Sequence, residues 1–254
     1  MKLLPIAAGL ALAMTLVGCQ SVKTGDLSGA VSTVSTAGKA LSLSDSDVVA
    51  LSNESCEAMD AQNKVAPANS KYTQRLNRVI KAFPKDIEGK KAVYKVYLTK
   101  DVNAWAMANG CIRVYSGLMD LMNDDELRGV IGHEIGHVAL GHSKSRMQTA
   151  YATSAVRQIA AQSGNSAVAQ LSRSQAGELG EKFLNAQFSQ SQESASDDYS
   201  FDLLTKLKLP RKGLVTGFQK LSKLSDSKDH SMLDSHPPSE KRAAHMQERL
   251  GGGK

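Results

Sequence analysis

Aromatic residues are scarce in this chain of 254 residues, and long blocks of like charge are absent. Phe, Trp and Tyr make up 5% of the sequence, which is too few for the stacking surfaces that bind single-stranded nucleic acid. The 31 basic and 25 acidic residues are interleaved and leave a formal net charge of +6, whereas nucleic-acid binders usually cluster their basic residues. No nucleic-acid partner is therefore expected. The 41% of hydrophobic residues is typical of a globular protein with one sizeable core or two small domains.

No apolar run is long enough for a comfortable transmembrane helix, but a shorter one opens the chain. Lys2 precedes the apolar residues 3–17, which is the pattern of a secretory signal peptide. The segment Leu16-Val17-Gly18-Cys19 resembles the bacterial lipobox, in which the cysteine is lipidated and becomes the first residue after cleavage. The alternative is an ordinary signal peptide with a chance cysteine. Gln20 stands where Asp would mark inner-membrane retention, so the resemblance implies a lipid-anchored protein of the outer membrane that faces the periplasm.

The composition changes after the candidate lipidation site. Residues 19–44 are rich in Ser, Ala and Gly, a composition that suits a tether between a lipid and a folded domain. The predicted organisation is therefore a signal peptide over residues 1–18, a lipidated Cys19 with its tether over 19–44, and one folded domain over 45–254.

Only three cysteines occur in the chain. If Cys19 carries lipid, Cys56 and Cys111 remain, and in an oxidising periplasm two remaining cysteines predict one disulfide. Two buried free thiols are the alternative, because the sequence does not give the distance between them. No CxxC pair is present to indicate a redox or zinc-ribbon site.

The chain changes from mixed structure to helix near its middle. Helices are predicted from Asp45 and from Asn69, and the alternation of residues 91–99 indicates a strand. Residues 103–115 predict two short strands around Asn109-Gly110, which is a strong hairpin signal. Helices follow, with breaks at 163–166, 210–213 and 225–238. The predicted fold class is α+β and mainly helical, with a small sheet or hairpin before the helix that holds the chemistry.

The chemical groups are concentrated in one predicted helix. Asn123 and Glu126 have the spacing of a helix start. His133 and His137 are four residues apart, about 40° around a helix axis, so both imidazoles can hold one Zn²⁺ at 2.0–2.1 Å. Glu134 is displaced to the side of such a metal, which suits it to taking a proton from water. The alternative is a solvated or core helix with unrelated histidines.

A third ligand is sought further along the chain. Leu140 and Ser143 stand where metzincins require Gly and His, which excludes that class. His142 is about 180° from His133 on an ideal helix, so a structural role is favoured for it. Glu193 is the better candidate for the third ligand, and Asp197 one turn later can orient a ligating imidazole. This is the gluzincin pattern; a solvated acidic stretch is the alternative.

Three segments together resemble a known family. They are residues 123–142, the SQSQESASD stretch and the segment Ser235-His-Pro-Pro-Ser-Glu-Lys-Arg242, and they are similar to the zinc metallopeptidases that include HtpX, the mitochondrial Oma-type protease and the CAAX prenyl endopeptidases. The resemblance covers roughly residues 68 to 250. It implies a gluzincin-like zincin domain with one zinc ion per chain, held by His133, His137 and Glu193, with Glu134 in catalysis. The chain departs from the family pattern at Gln190 and at Ala195-Ser196.

Two further residues have several possible roles. His236 resembles the His-Pro motif of the family and either donates to the developing oxyanion or occupies the fourth zinc position and keeps the enzyme latent. A plain loop residue is the third possibility. Arg242 either pairs with an acidic group near the site or is solvated.

The expected activity is that of a zinc endopeptidase acting on unfolded or misassembled envelope proteins. Other envelope proteases or assembly factors are candidate partners. An outer-membrane assembly factor or chaperone with latent protease activity is the alternative.

The second predicted hairpin strand is a candidate for binding an extended substrate along its edge. The alternative is a fully internal strand. The residues of this predicted strand are Cys111, Ile112, Arg113, Val114 and Tyr115.

Overall fold

A computed structural model describes residues 43–154, 171–224, 232–236 and 240–252. The predicted signal peptide, Cys19 and nearly all of the predicted tether lie outside the described residues, as do the predicted break at 163–166 and most of the break at 225–238. The helices are α1 (Asp45–Gln62), α2 (Lys71–Val79), α3 (Ser116–Leu121), α4 (Asp124–Ala139), α5 (His142–Ala152), α6 (Arg173–Asn185), α7 (Gln190–Lys206), α8 (Lys212–Ser222), α9 (Met232–Ser235) and α10 (Glu240–Gly251). The strands are β1 (Asp86–Ile87), β2 (Lys90–Lys91), β3 (Val93–Tyr97), β4 (Ala104–Ala106) and β5 (Cys111–Tyr115), and a 3₁₀ turn follows α2 at Ile80–Ala82. The predicted α+β, mainly helical class is confirmed.

A three-stranded sheet with strand order β3-β5-β4 precedes the long helices. The predicted hairpin is present: β4 and β5 are antiparallel, with Trp105 opposite Arg113. Gly110 closes the turn with φ +82°, a backbone region that favours glycine. A Cβ atom at this position would lie 2.6 Å from the Lys91 carbonyl oxygen, so close packing against β2 also requires glycine.

The proposed role of β5 as a substrate-binding edge is wrong. β5 is the central strand, paired in parallel with β3 on one side and antiparallel with β4 on the other. All five of its residues, from Cys111 to Tyr115, are buried. The pairing uses both backbone edges, so no row of free amide and carbonyl groups remains for a peptide. The alternative of an internal strand is therefore the correct one.

The two faces of the sheet support two apolar clusters. The larger includes the buried side of α4 together with residues from β3 to β5, α7 and α8. The smaller packs α1 and α6 against Tyr97, Trp105 and Met107. Burial of these side chains on both faces explains why the short sheet is stable within a mainly helical domain. None of the described helices combines the length and apolar character needed to cross a bilayer.

A disulfide joins α1 to the sheet. Cys56 and Cys111 are bonded, with their Cα atoms 6.7 Å apart, so the predicted pairing is present. Beside it, Arg113 donates to both carboxylate oxygens of Asp60 at 2.8 and 2.9 Å. Lys95 donates to the same carboxylate at 2.6 Å. This covalent and ionic connection holds the N-terminal helix on the sheet.

Candidate metal centre

The helix that holds the candidate ligands begins where the sequence predicts. The Asn123 side chain accepts hydrogen bonds from the backbone of Asp125 and Glu126 at 3.0 and 2.9 Å. The Glu126 carboxylate accepts in return from the Asn123 amide at 2.8 Å, which completes a capping box. Lys220 of α8 donates to that carboxylate at 2.6 Å. The helix start is thereby held in place on α8.

Small residues bring α7 close to α4. A Cβ atom on Gly132 would lie 2.5 Å from Ser200 Oγ, and one on Gly136 would lie 3.1 Å from the Ser196 carbonyl oxygen. Ser200 also donates to the Gly129 carbonyl at 2.8 Å. Two glycines one turn apart therefore face two serines one turn apart. This close contact brings Glu193 of α7 to the histidines of α4.

Four buried side chains converge on one point, and the sequence predicted three of them as ligands. His133 Nε2 lies 2.9 Å from His137 Nε2. The Glu193 carboxylate is 3.3 Å from His137 Nε2 and 3.6 Å from His133 Nε2. His236 Nδ1 completes the group at 3.0 Å from Glu193 Oε1 and 3.3 Å from His133 Nε2. Ligand atoms of all four lie within 4.8 Å of one another.

These separations fit a single zinc ion. Ligands at 2.0–2.1 Å in a tetrahedron are about 3.3 Å apart, close to the spacings of the cluster. His133 Nδ1 is 2.8 Å from Asp197 Oδ1, so this nitrogen holds the proton and Nε2 points its lone pair at the cluster. Several lone pairs aimed at one buried point repel one another unless a cation lies between them. The chemistry of the donor set, with imidazole and carboxylate groups, also suits zinc.

Asp197 and Arg242 surround the ligands with compensating charge. Arg242 bonds Asp197 at 2.6 and 2.8 Å and reaches Glu193 Oε2 at 2.5 Å. Burial raises the pKa of Asp197, but hydrogen bonds from Arg242 and His133 outweigh it and the pKa is lowered. Burial lowers the pKa of His133, yet its bond to Asp197 raises the pKa overall. The structure thus places Arg242 in a buried ion pair rather than in solvent.

Glu134 stands beside the ligand group without joining it. Its side chain is buried, and its Oε1 atom has no hydrogen-bond partner among the described residues. Burial raises the pKa of this carboxyl group above its ordinary value. His236 Nε2 is 3.5 Å away. Glu134 therefore lies next to the four-residue cluster, and its position relative to a bound metal stays a prediction.

His236 reaches the cluster at the end of α9. The Met232 amide donates to the Val102 carbonyl at 2.8 Å, and the Phe188 amide donates to the Ser235 carbonyl at 3.3 Å. The His236 side chain is 4% exposed, so it belongs to the site and not to a solvated loop. Pro237 and Pro238 lie outside the described residues.

Three further side chains lie next to the site: His142, for which the sequence favoured a structural role, and Phe188 and Arg146, which the sequence did not single out. His142 Nδ1 lies 3.2 Å from both His137 Nδ1 and Ser196 Oγ. The ideal-helix angle misplaces this residue because Gly141, with φ +74°, separates α4 from α5. The ring of Phe188 stacks on His137 with centroids 3.7 Å apart. The guanidinium of Arg146 lies over the same phenyl ring at 4.3 Å. Gly141, directly after α4, is the sequence signal that the helix stops before His142 and that the helical angle no longer applies. The sequence holds no comparable signal for Phe188 or Arg146.

The departures from the family pattern lie at two different places. Gln190 is exposed at the first position of α7, so it does not change the ligand set. Ser196 is buried against Gly136, where it forms part of the contact between α4 and α7.

Comparison with known proteins gives consistent matches. A family model described as peptidase family M48 matches residues 69–250. Metalloprotease LoiP of Escherichia coli K12 is 50% identical over 250 residues, which is 98% of each chain. Metalloprotease YcaL of the same organism is 51% identical over 253 residues, covering 99% of this chain and 98% of YcaL. Protease HtpX of Acinetobacter baumannii strain AYE matches over 37 residues at 54% identity, covering 15% of this chain and 12% of HtpX.

Proposed function

Because the chain belongs to peptidase family M48, we propose that it is a zinc endopeptidase that cleaves unfolded or misassembled proteins of the bacterial cell envelope. Metallopeptidase activity follows from membership of the family. What we propose beyond it is the substrate class, unfolded or misassembled envelope proteins, and the role in protein quality control. The observation that carries the site assignment is the convergence of His133, His137 and Glu193 on one buried point beside Glu134.

His133, His137 and Glu193 would hold the ion, and Glu134 would perform proton transfer. A zinc ion in such a site polarises the scissile carbonyl and makes water more nucleophilic. Glu134 accepts the proton of the attacking water and later delivers it to the leaving amine. Its raised pKa, caused by burial, brings the carboxyl group closer to the working pH that both transfers require.

Asp197 and Arg242 position the ligands. Asp197 accepts a hydrogen bond from His133 Nδ1 at 2.8 Å and so selects the tautomer that presents the Nε2 lone pair. Arg242 pairs with both Asp197 and Glu193, so it fixes the Glu193 carboxylate while compensating buried negative charge.

We propose that His236 acts as a latch, which means that its imidazole would block the metal site until it moves away. Its Nδ1 atom lies 3.0 Å from Glu193 and 3.3 Å from His133, which is the separation that fellow ligands adopt. In that position the imidazole would compete with water for the remaining ligand position of a bound zinc ion. Cleavage would then require His236 to move away. The alternative role of His236 is to donate a hydrogen bond to the developing oxyanion of the substrate. That role requires the imidazole to face the substrate carbonyl and not the metal.

The closed position of His236 also favours a second candidate function. If His236 occupied the remaining ligand position, cleavage would be suppressed while the rest of the surface stayed able to bind a polypeptide, so an assembly factor or chaperone with latent protease activity fits the same arrangement. Other envelope proteases or assembly factors are then candidate partners.

The location of the protein is proposed from its N-terminal sequence. Residues 1–18 have the pattern of a signal peptide, and Cys19 ends a lipobox followed by Gln20. We place the domain 45–254 on a tether of residues 19–44, anchored by lipid to the outer membrane and facing the periplasm. Several acyl chains on one cysteine give stable anchoring where one chain does not.

One experiment tests the substrate class. An outer-membrane β-barrel protein is presented to the purified full chain in two forms, unfolded in urea-diluted buffer and folded in detergent. The expected result is cleavage of the unfolded form alone, and no cleavage by the Glu134→Gln variant, which controls for contaminating proteases. Equal cleavage of both forms would contradict selection of unfolded proteins. Binding of the unfolded form without cleavage would favour the chaperone function.

A further inference from the structure

Phe188 lies between a buried cation and a candidate zinc ligand. Its ring stacks on the His137 imidazole with centroids 3.7 Å apart and planes inclined by 20°. The Arg146 guanidinium lies 4.3 Å from the centroid of the same ring. Each group covers a ring face at van der Waals distance, so the two groups lie on opposite faces. The phenyl ring is 4% exposed and is therefore enclosed within this stack.

Arg146 is held in place without a carboxylate. Its side chain is 5% exposed, and no acidic group lies within ion-pair distance among the described residues. The Nη2 group donates to the carbonyl oxygens of Leu184, in the last turn of α6, and of Ala186, in the connection to α7. The guanidinium also lies 4.7 Å from the Phe183 ring. A buried guanidinium with these contacts is stabilised by aromatic faces and fixes the turn that holds Phe188.

The two histidines of α4 are oriented in different ways. His133 Nδ1 faces the Asp197 carboxylate at 2.8 Å, the usual arrangement that fixes a ligating imidazole. His137 Nδ1 faces another imidazole, that of His142, at 3.2 Å. A neutral ring nitrogen attracts a proton less strongly than a carboxylate does, so this contact orients His137 less firmly. Stacking on Phe188 supplies the missing restraint, because rotation of the His137 ring would break the face-to-face contact.

We propose that Phe188, clamped by Arg146, is a positioning residue that fixes the His137 imidazole toward the metal. This inference rests on the proposed function only in taking His137 as a ligand. Phe188 holds the ring of His137 where Asp197 holds that of His133. Residues that orient zinc ligands from outside the coordination shell typically change metal affinity by 10- to 100-fold when replaced.

The test compares metal release from two leucine variants of the full chain. Phe188→Leu removes the ring that stacks on His137, whereas Phe183→Leu removes the other buried ring beside Arg146 and leaves the His137 contact intact. Zinc dissociation is followed with a colorimetric chelator, and the absorption spectrum of the Co²⁺-loaded protein reports ligand geometry. Phe188→Leu should release metal about 10-fold faster and shift the Co²⁺ spectrum. Phe183→Leu should match wild type in both measurements.

A conservative variant separates positioning from packing. Phe188→Tyr keeps the ring face and is expected to restore the wild-type release rate and Co²⁺ spectrum. Equal release from the two leucine variants, or failure of Phe188→Tyr to restore the spectrum, would overturn the proposal. If Phe188→Leu fails to fold, the same measurements are made on Arg146→Lys. A shifted Co²⁺ spectrum is expected for that variant, and an unchanged spectrum would contradict the role of Arg146 in holding Phe188. Failure of the wild-type chain to bind zinc at all would instead refute the proposed function.

Discussion

His236 is the residue on which the state of the site depends. Its Nδ1 atom lies among the ligand atoms, while its Nε2 atom is 3.5 Å from Glu134. If His236 is a latch, His236→Ala opens the fourth zinc position, and basal proteolysis should rise at least severalfold while zinc stays bound. Peptide hydrolysis and zinc content are the measurements, with His245→Ala as the control because that histidine is exposed and pairs with Asp198.

The same variant distinguishes the other two roles of His236. An oxyanion donor would lose about 10²- to 10³-fold in turnover with intact zinc, and that result would contradict the latch. Unchanged activity of His236→Ala would contradict both roles and would indicate that His236 only contributes to packing.

Single residues were predictable where helix geometry alone decides their position. His133 and His137 follow from a spacing of four residues within one helix, and Asp197 follows in the same way from Glu193. Phe188 and Arg146 come from a turn and from a different helix, and their stack on His137 exists only in the folded chain. His142 was misplaced because its predicted angle assumed a helix that continues through Gly141.

At the scale of elements, the contact between α4 and α7 sets the distance from the histidines to Glu193. A side chain at Gly136 meets the backbone of Ser196 at 3.1–3.2 Å and Tyr199 Cβ at 3.2 Å. Gly136→Val should therefore push the helices apart, lower the free energy of unfolding by about 1–3 kcal/mol and weaken zinc binding. Thermal unfolding and zinc content measure these effects.

A second helical glycine provides the control for that substitution. Gly251 has nothing within 4 Å of a Cβ atom built on it, so Gly251→Val tests the cost of the residue change itself. Equal zinc affinity and stability in the two variants would show that the helix contact does not control the site.

The elements themselves were largely predictable from local pattern. The Asn109-Gly110 turn and the alternation over residues 91–99 predicted the strands, and the Asn123 capping box predicted the start of α4. The central place of β5 was not predictable, because its parallel partner β3 pairs with it across a long intervening segment. The sequence of β5 alone does not indicate that β3 pairs with the edge that β4 leaves open.

At the scale of the whole molecule, the Cys56–Cys111 disulfide links the N-terminal helix to the sheet. The two cysteines are 55 residues apart in sequence, for which chain entropy gives at most about 4 kcal/mol of stabilisation. The double variant Cys56→Ser and Cys111→Ser should have a free energy of unfolding lower by up to that amount, measured by urea denaturation. Wild-type protein treated with reductant is the matched control and should approach the variant. Coincident urea curves for oxidised wild type and the variant would contradict a stabilising bond.

The site is also a property of the whole molecule, because its groups come from three separate parts of the chain. α4 supplies His133, Glu134 and His137, α7 supplies Glu193, and His236 directly follows the end of α9. A zinc ion held by these groups would join all three parts of the chain, so metal binding would contribute to folding stability.

The assignment of Glu134 as the general base of a zinc peptidase is tested most directly by the Glu134→Gln variant, measured for zinc content and peptide hydrolysis together. The change is made in the wild-type chain and in the His236→Ala chain, so that a closed latch does not mask the result. We expect one zinc ion per chain in every form, and a loss of about a hundredfold or more in hydrolysis relative to each parent. Turnover near that of the parent, with zinc bound, would contradict the assignment of Glu134 as the general base.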